Sequence, residues 1–379
     1  MRTNRSLWSA IVRPLAAVFV AAFALASCTP DQSAPTAPPA QRPELKVAAA
    51  QPGLSHAMAV KERNEARLFA HKGVVGTAVG VTAEGRPTIE VLTASRGVAG
   101  IPARVEDVPV EVQVTGRVFA LPARGKNGGN DGKGGGNGGG GGHGGKPSGG
   151  TKPTSFFTRP VPIGVSTGNA GECEAGTISA RVTKGGNVYA LSNNHVYALE
   201  NSAQIGSTIL QPGLYDTRCR LDETQDFLGT LMAFNTIDFS GGDNTIDAAI
   251  AATTTSELGN ATPADGYGEP SSTVTSASVG QLVQKYGRTT GLTKGQVIGV
   301  DVTLDVQYSS GIAHFVNQIE IAGTSTAFSK AGDSGSLIVT DNTSANPVGL
   351  LFAGSSNGIT FANPIGPVLS HFGVSIDGK

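Results

Sequence analysis

From Thr151 to the C-terminus, short apolar runs alternate with turn clusters, and no long helical periodicity interrupts them. Gly176–Val182, Val188–Leu191, Ile246–Ala251, Leu282–Tyr286, Gln296–Val302, Phe315–Ile321 and Leu337–Thr340 are each of strand length. So many short strands in roughly 230 residues predict an all-β sandwich or a pair of barrels. The block Gly125–Gly150 ahead of them is glycine with scattered Lys, Asn and Asp, which cannot bury a core and marks a domain boundary. His143 inside that block reads as a solvated spacer rather than a metal ligand.

The block divides the chain. Residues 46–123 predict a small α+β domain, 124–152 the linker and 153–379 the β domain. In the small domain, His56–His71 lacks Gly and Pro and predicts a helix. Strand-like alternation follows at Val75 to Val81, at Ile89 and Val91, and most clearly over Val108–Val114. Pro109 places the start of that last strand on a sheet edge.

The N-terminus predicts export. Arg2, Arg5 and Arg13 precede an apolar run, Leu15–Leu25, that is too short to span a bilayer comfortably. It ends in Leu25-Ala26-Ser27-Cys28, which resembles a bacterial lipobox. Residues 1–27 are then a lipoprotein signal and 28–45 a Pro/Ala-rich tether, with Cys28 carrying the lipid that holds the protein on the cell envelope. Thr29 after the cysteine favours the outer membrane, where the host has one; the plainer alternative is a signal cut near Ala26. Cys173 and Cys219 remain as an even pair in an oxidising compartment, which predicts a disulfide, with two buried thiols as the alternative.

Composition excludes several functions. A net charge of −1 and a pI near 6.6 do not build a nucleic-acid surface. Six scattered histidines, no HExxH and no cysteine cluster leave a metal mechanism without ligands, and no cofactor is expected.

The densest chemical signal is Ser329-Lys330-Ala331-Gly332-Asp333-Ser334-Gly335-Ser336, followed by an apolar strand. Glycines on either side of Ser334 permit a tight turn whose N–H groups converge where an oxyanion would develop. A serine needs a base, and the base needs an orienting group. His195 stands where an apolar strand runs into polar residues, and Asp247 opens Asp247-Ala248-Ala249-Ile250-Ala251, which would bury it. Asp238 and Asp243 are nearby alternatives; His314 and His371 lack comparable context. The order His, Asp, Ser is that of chymotrypsin-like barrels. A nucleophile elbow would need Gly where Ser336 stands, and a GDS-type hydrolase would carry its serine block early and an Asp where Val368 precedes His371.

LSNNHVYA, NTIDAAIA and AGDSGSLIV resemble the three active-site segments of trypsin-like serine proteases. Lys285–Val300 (KYGRTTGLTKGQVIGV) and Ile209–Gly213 (ILQPG) are similar to the narrow-leaf type and its bacterial relatives. The resemblance implies two antiparallel six-stranded β-barrels, with His195 and Asp247 in the first, Ser334 in the second and the cleft between them. It implies peptide-bond hydrolysis with the oxyanion held by the N–H groups of Gly332 and Ser334. Phe328, six residues before the nucleophile, would floor a shallow pocket for small apolar side chains. The strand Gly349–Gly354 would pair with substrate, with Phe352 and Gly354 at the pocket. Asp333 needs a cation, and Arg288 in Gly-Arg-Thr-Thr-Gly is the candidate, by similarity to α-lytic-type enzymes; a surface arginine is the alternative. The partners implied are a protein or peptide substrate and, through Cys28, a membrane. Two other functions fit the same residues: a peptide-gripping module without catalysis, and a protein that cuts only its own linker or N-terminal segment.

Overall fold

The computed structural model describes residues 53–124 and 152–379. The expected signal peptide, Cys28, the tether and the Gly-rich linker lie outside the described residues.

The N-terminal elements are helix α1 (Leu54–Phe69) and strands β1 (Val74–Val81), β2 (Pro87–Thr93), β3 (Arg104–Val105), β4 (Val108–Val114), β5 (Val118–Ala120) and β6 (Ala123–Arg124). Next come β7 (Ser166–Asn169), β8 (Glu174–Thr177), β9 (Ala180–Lys184), β10 (Asn187–Ser192), α2 (Asn194–Tyr197), β11 (Thr208–Leu210), α3 (Glu223–Asp226), β12 (Phe227–Phe234), β13 (Asp243–Asn244) and β14 (Ala249–Thr253). The last part holds β15 (Leu282–Gly287), β16 (Gly291–Gln307), β17 (Ile312–Gly323), β18 (Leu337–Thr340), β19 (Pro347–Ser355), β20 (Thr360–Pro364), α4 (Ile365–Phe372) and β21 (Ser375–Ile376).

Pairing closes two rings. In the first, β7 joins β8 and β11, then β11–β12, β12–β14, β14–β10 and β10–β9 follow in order. β8 and β9 are successive pieces of one bent strand, bridged by bonds from Ile178 N–H to Val165 and from Ser179 N–H to Leu191. In the second ring, β15–β16–β17–β20–β19–β18 returns to β15. The chain is therefore mainly β with two antiparallel six-stranded rings, the chymotrypsin-like architecture that the resemblance implied. Val165, Ile178, Ala190, Ile209 and Leu231 fill the first ring; Val283, Val297, Ile319, Ile338 and Leu351 fill the second. The run Leu337–Val339 is apolar throughout because both faces of β18 are covered. Ile338 points into the second ring, while Leu337 and Val339 join a cluster with Val368 and Phe372 of α4.

Helix α1 runs two residues earlier at each end than the Gly- and Pro-free stretch suggested, starting after Gly53. Its Leu54, Ala57, Val60 and Leu68 pack on Ile89 and Val91. Lys61, fully buried, pairs with Glu65 at 2.9 Å and with Asp301 of β16 at 3.3 Å. Strand β1 pairs antiparallel with β16, so the sheet of the second ring continues through β1 and β2 into β4.

At this junction two buried carboxyls interact, Glu90 of β2 and Glu320 of β17. Glycines make the room, since a Cβ on Gly80 would lie 1.9 Å from Glu90 and one on Gly299 would lie 2.8 Å from Glu320. Burial, reinforced by the charge on Glu111, raises Glu90 to about 7. Burial and the neighbouring Glu90 push Glu320 well above the usual carboxylate range. Both groups hold their protons more tightly folded than unfolded, so they favour the folded state at low pH. The Glu90 contribution is lost as pH rises from about 4.5 through about 7, and the Glu320 contribution falls in the same direction. Glu174 is likewise raised to about 7 and adds to the same fall, whereas Glu65, lowered to about 2, titrates below this window. The melting temperature should therefore drop by a few degrees between about pH 5 and pH 8, and Glu90→Gln should flatten the drop. Parallel pH profiles for the two chains would refute this.

Candidate active site

His195 lies on the short helix α2, just past the end of β10, and is 1% exposed. Its Nδ1 is 2.5 Å from Asp247 Oδ2, and its backbone N–H donates to Asp247 Oδ1 at 3.2 Å. Asp247 is fully buried before β14. The Tyr308 hydroxyl donates to its Oδ2 at 2.9 Å, Asn193 Nδ2 donates to its carbonyl, and its N–H donates to Asn363. Three side chains from both rings thus fix the acid, so the ring of His195 has one orientation available to it. Burial, then the charge of Asp247, holds the Tyr308 phenol well above its ordinary value, which keeps it a donor. Of the three acids near this point in the sequence, Asp247 is the one on His195.

Ser334 sits on the turn before β18, fully buried. The turn is gripped from the first ring by Thr177. Its N–H donates to the Ser334 carbonyl at 2.7 Å and its hydroxyl donates to the Gly332 carbonyl at 2.9 Å. Gly335 has φ 93°, and a Cβ there would lie 2.1 Å from the Thr177 carbonyl and 2.4 Å from Ser192 Oγ. Only glycine therefore lets the Ser334 turn close on the strand that leads to His195. Ser334 Oγ donates to the Phe352 carbonyl at 3.3 Å rather than to His195. His195 Nε2 is buried with no hydrogen-bond partner among the described residues.

Around Asp333 the geometry corrects one expectation. Arg288 does not neutralise it. Arg288 is forked onto Asp216, through Nε at 2.8 Å and through a short Nη2 contact, and lies over the Tyr215 ring. Asp216 in turn accepts from Ser166 Oγ at 2.5 Å, so this ion pair belongs to the seam with the first ring. The cation on Asp333 is Lys285, fully buried, with Nζ at 3.5 Å. Thr289 N–H, Thr290 N–H, Thr290 Oγ1 and Lys330 N–H also donate to the Asp333 carboxylate. The Gly-Arg-Thr-Thr-Gly turn therefore reaches Asp333 through the two threonines after the arginine. Desolvation lowers the Lys285 ammonium, and Asp333 opposes that.

The cleft between the rings is crossed by the chain itself. β5 pairs antiparallel with β19, matching Ala120 to Ala353, Phe119 to Gly354 and Val118 to Ser355. Past it, the Leu121 carbonyl accepts from Gly332 N–H at 2.6 Å. Then β6 pairs with β8, Ala123 opposite Ala175 and Arg124 opposite Glu174. Leu121 packs on the cluster that contains Phe328, and its Cδ1 lies 2.7 Å from where a Cβ of Gly354 would be. Phe352 is buried against Phe315, with ring centroids 4.7 Å apart. A polar cavity of about 120 Å³ beside His195 is lined by Arg124, Glu174, Glu200 and Ser310.

Cys173 and Cys219 form the expected disulfide, with Cα atoms 5.2 Å apart. No group of three or more metal-ligating side chains occurs among the described residues. Among the same residues no helix is long and apolar enough to cross a membrane. Sequence reasoning missed Tyr308, Asp216 and the crossing segment. Lys285 carried a readable signal, a lone lysine in the apolar strand Leu282–Gly287.

Among solved structures, the chain is similar to Thermobifida fusca Protease A (18% identical, TM-score 0.41, covering 58% of this chain and 99% of that one). It is also similar to Cellulomonas bogoriensis chymotrypsin (21% identical, TM-score 0.40, covering 58% and 99%). The Nal1 C-terminal domain family matches residues 245–366, which include Asp247 and Ser334. In sequence the chain is similar to Streptogrisin-A of Streptomyces griseus, 35% identical over 108 residues that make up 27% of this chain. It spans 33% of that relative's length.

Proposed function

We propose that this chain is a serine endopeptidase working through an acyl-enzyme. The observation that carries the reading is a peptide carbonyl already held on Gly332 N–H, beside a buried Ser334 and a His195 oriented by Asp247. In the reaction, Ser334 Oγ leaves the Phe352 carbonyl, passes its proton to His195 Nε2 and attacks the substrate carbonyl carbon. Asp247 stabilises the imidazolium, and Gly332 N–H, joined by Ser334 N–H, holds the oxyanion. His195 then protonates the leaving nitrogen as the C–N bond breaks, and water releases the acyl group by the same route. The likeness to Streptogrisin-A over 108 residues adds support of a coarser kind. The sequence reading of export, lipidation of Cys28 and a small domain ahead of a Gly-rich linker belongs to the same proposal, with the protease held on the cell envelope.

A fluorophosphonate probe, followed by peptide mapping, tests it. The label is expected on Ser334 and nowhere in Ser334→Ala. A label on another serine, or none even after the cleft is opened as described below, would overturn the reading.

A further inference from the structure

Residues Val118–Arg124 lie across the cleft as a peptide substrate would. Three observations define their register. On one side β5 adds to β19 as an antiparallel strand, the usual way an extended peptide is gripped by a sheet edge. On the other side β6 adds to β8. Between them the Leu121 carbonyl sits on Gly332 N–H, which places the Leu121–Pro122 bond at the nucleophile. Two side chains anchor the segment. Leu121 packs on the apolar cluster with Phe328. Arg124 is held between Glu174, at 2.6 Å, and Glu200, at 2.9 Å, and Glu200 is itself fixed by the N–H groups of Ser309 and Ser310. With the segment in place, Ser334 and His195 are sealed from solvent.

We propose that Val118–Arg124 is a built-in competitive inhibitor that keeps this protease latent, and that its side chains report the substrate preference of the site, a leucine-sized apolar residue before the scissile bond and a base three residues after it. The inference rests on the protease reading above.

The segment is held in a productive register yet stays intact because position 122 is proline. Attack by Ser334 on the Leu121 carbonyl would form the Oγ–C bond and require the C–N bond to break as His195 donates its proton to that nitrogen. A proline nitrogen carries a ring carbon where other residues have hydrogen, which crowds the nitrogen that His195 must protonate. The same ring favours the extended conformation of Leu121 that strand addition needs.

The full chain is compared as wild type, Arg124→Glu, Leu121→Asp and Pro122→Ala. The readouts are the fluorophosphonate labelling rate and hydrolysis of a fluorogenic peptide with leucine before the scissile bond. Arg124→Glu sets a third acid between Glu174 and Glu200, and Leu121→Asp puts a charge on the apolar cluster. An occupant joined to its own site acts at an effective concentration of about millimolar, so each variant should raise the labelling rate about tenfold or more. Pro122→Ala should cut itself after Leu121, giving a fragment that begins at position 122, and the cut should vanish when Ser334→Ala is added. Wild type labelled as fast as Arg124→Glu and Leu121→Asp overturns the inhibitor and leaves the protease reading standing. A Pro122→Ala chain that labels on Ser334 yet stays whole overturns the register. No labelling in any variant overturns the protease reading, and this inference with it.

Discussion

Ser334→Ala and His195→Ala are each expected to lower peptide hydrolysis by about 10⁴-fold or more, measured in whichever of the wild-type or Arg124→Glu chains turns the peptide over. The two should not add, because each disables the same proton-transfer unit. Asp247→Asn should approach the same loss with the fold intact. An amide beside Nδ1 can stabilise the wrong tautomer and cannot balance the imidazolium, and this kind of change costs about 10⁴-fold in enzymes that use such a trio. Melting curves on the same samples separate lost chemistry from lost structure. Turnover within about tenfold of the parent in either alanine variant would remove the assignment.

The three residues proposed to react were legible as candidates because each lies in a local context that chemistry constrains. Ser334 stood between glycines that a tight turn requires, His195 at the end of an apolar strand, and Asp247 before a run that buries it. The strands were legible from alternation, which left a sandwich and a pair of barrels both open; the two six-stranded barrels followed from the resemblance to trypsin-like proteases. What could not be read was contact between distant segments. Tyr308 reaches Asp247 across 61 positions, and nothing in its own turn distinguishes it from an exposed tyrosine. Arg288 reaches back to Asp216 across 72 positions, so its charge was visible and its partner was not. The crossing segment Val118–Arg124 has no catalytic residue type in it. Its meaning comes only from lying on β19 and Gly332.

Lys285→Met should destabilise the nucleophile turn and slow labelling of Ser334 strongly, whereas Arg288→Gln should disturb the seam at Asp216 and spare the turn more. Lys285 and Asp333 are both fully buried, and removing one partner of such a pair leaves the other charge uncompensated, at a cost of about 3–5 kcal/mol. Four hydrogen bonds remain on Asp333, from the Thr289 and Lys330 backbones and from Thr290 twice, so the lower end of that range is the better expectation. Lys285 also donates to Thr290 Oγ1 and to the Gly291 carbonyl, so its loss frees the very threonine that grips Asp333. The Gly332 and Ser334 N–H groups hang on that grip, and a shift of the turn moves them away from a substrate carbonyl. Adding Asp333→Asn to Lys285→Met removes the stranded charge and should recover part of the stability without recovering activity. Denaturant midpoints report the first effect and fluorophosphonate labelling the second. An unchanged midpoint and full labelling in Lys285→Met would mean that the threonine turn holds Asp333 unaided.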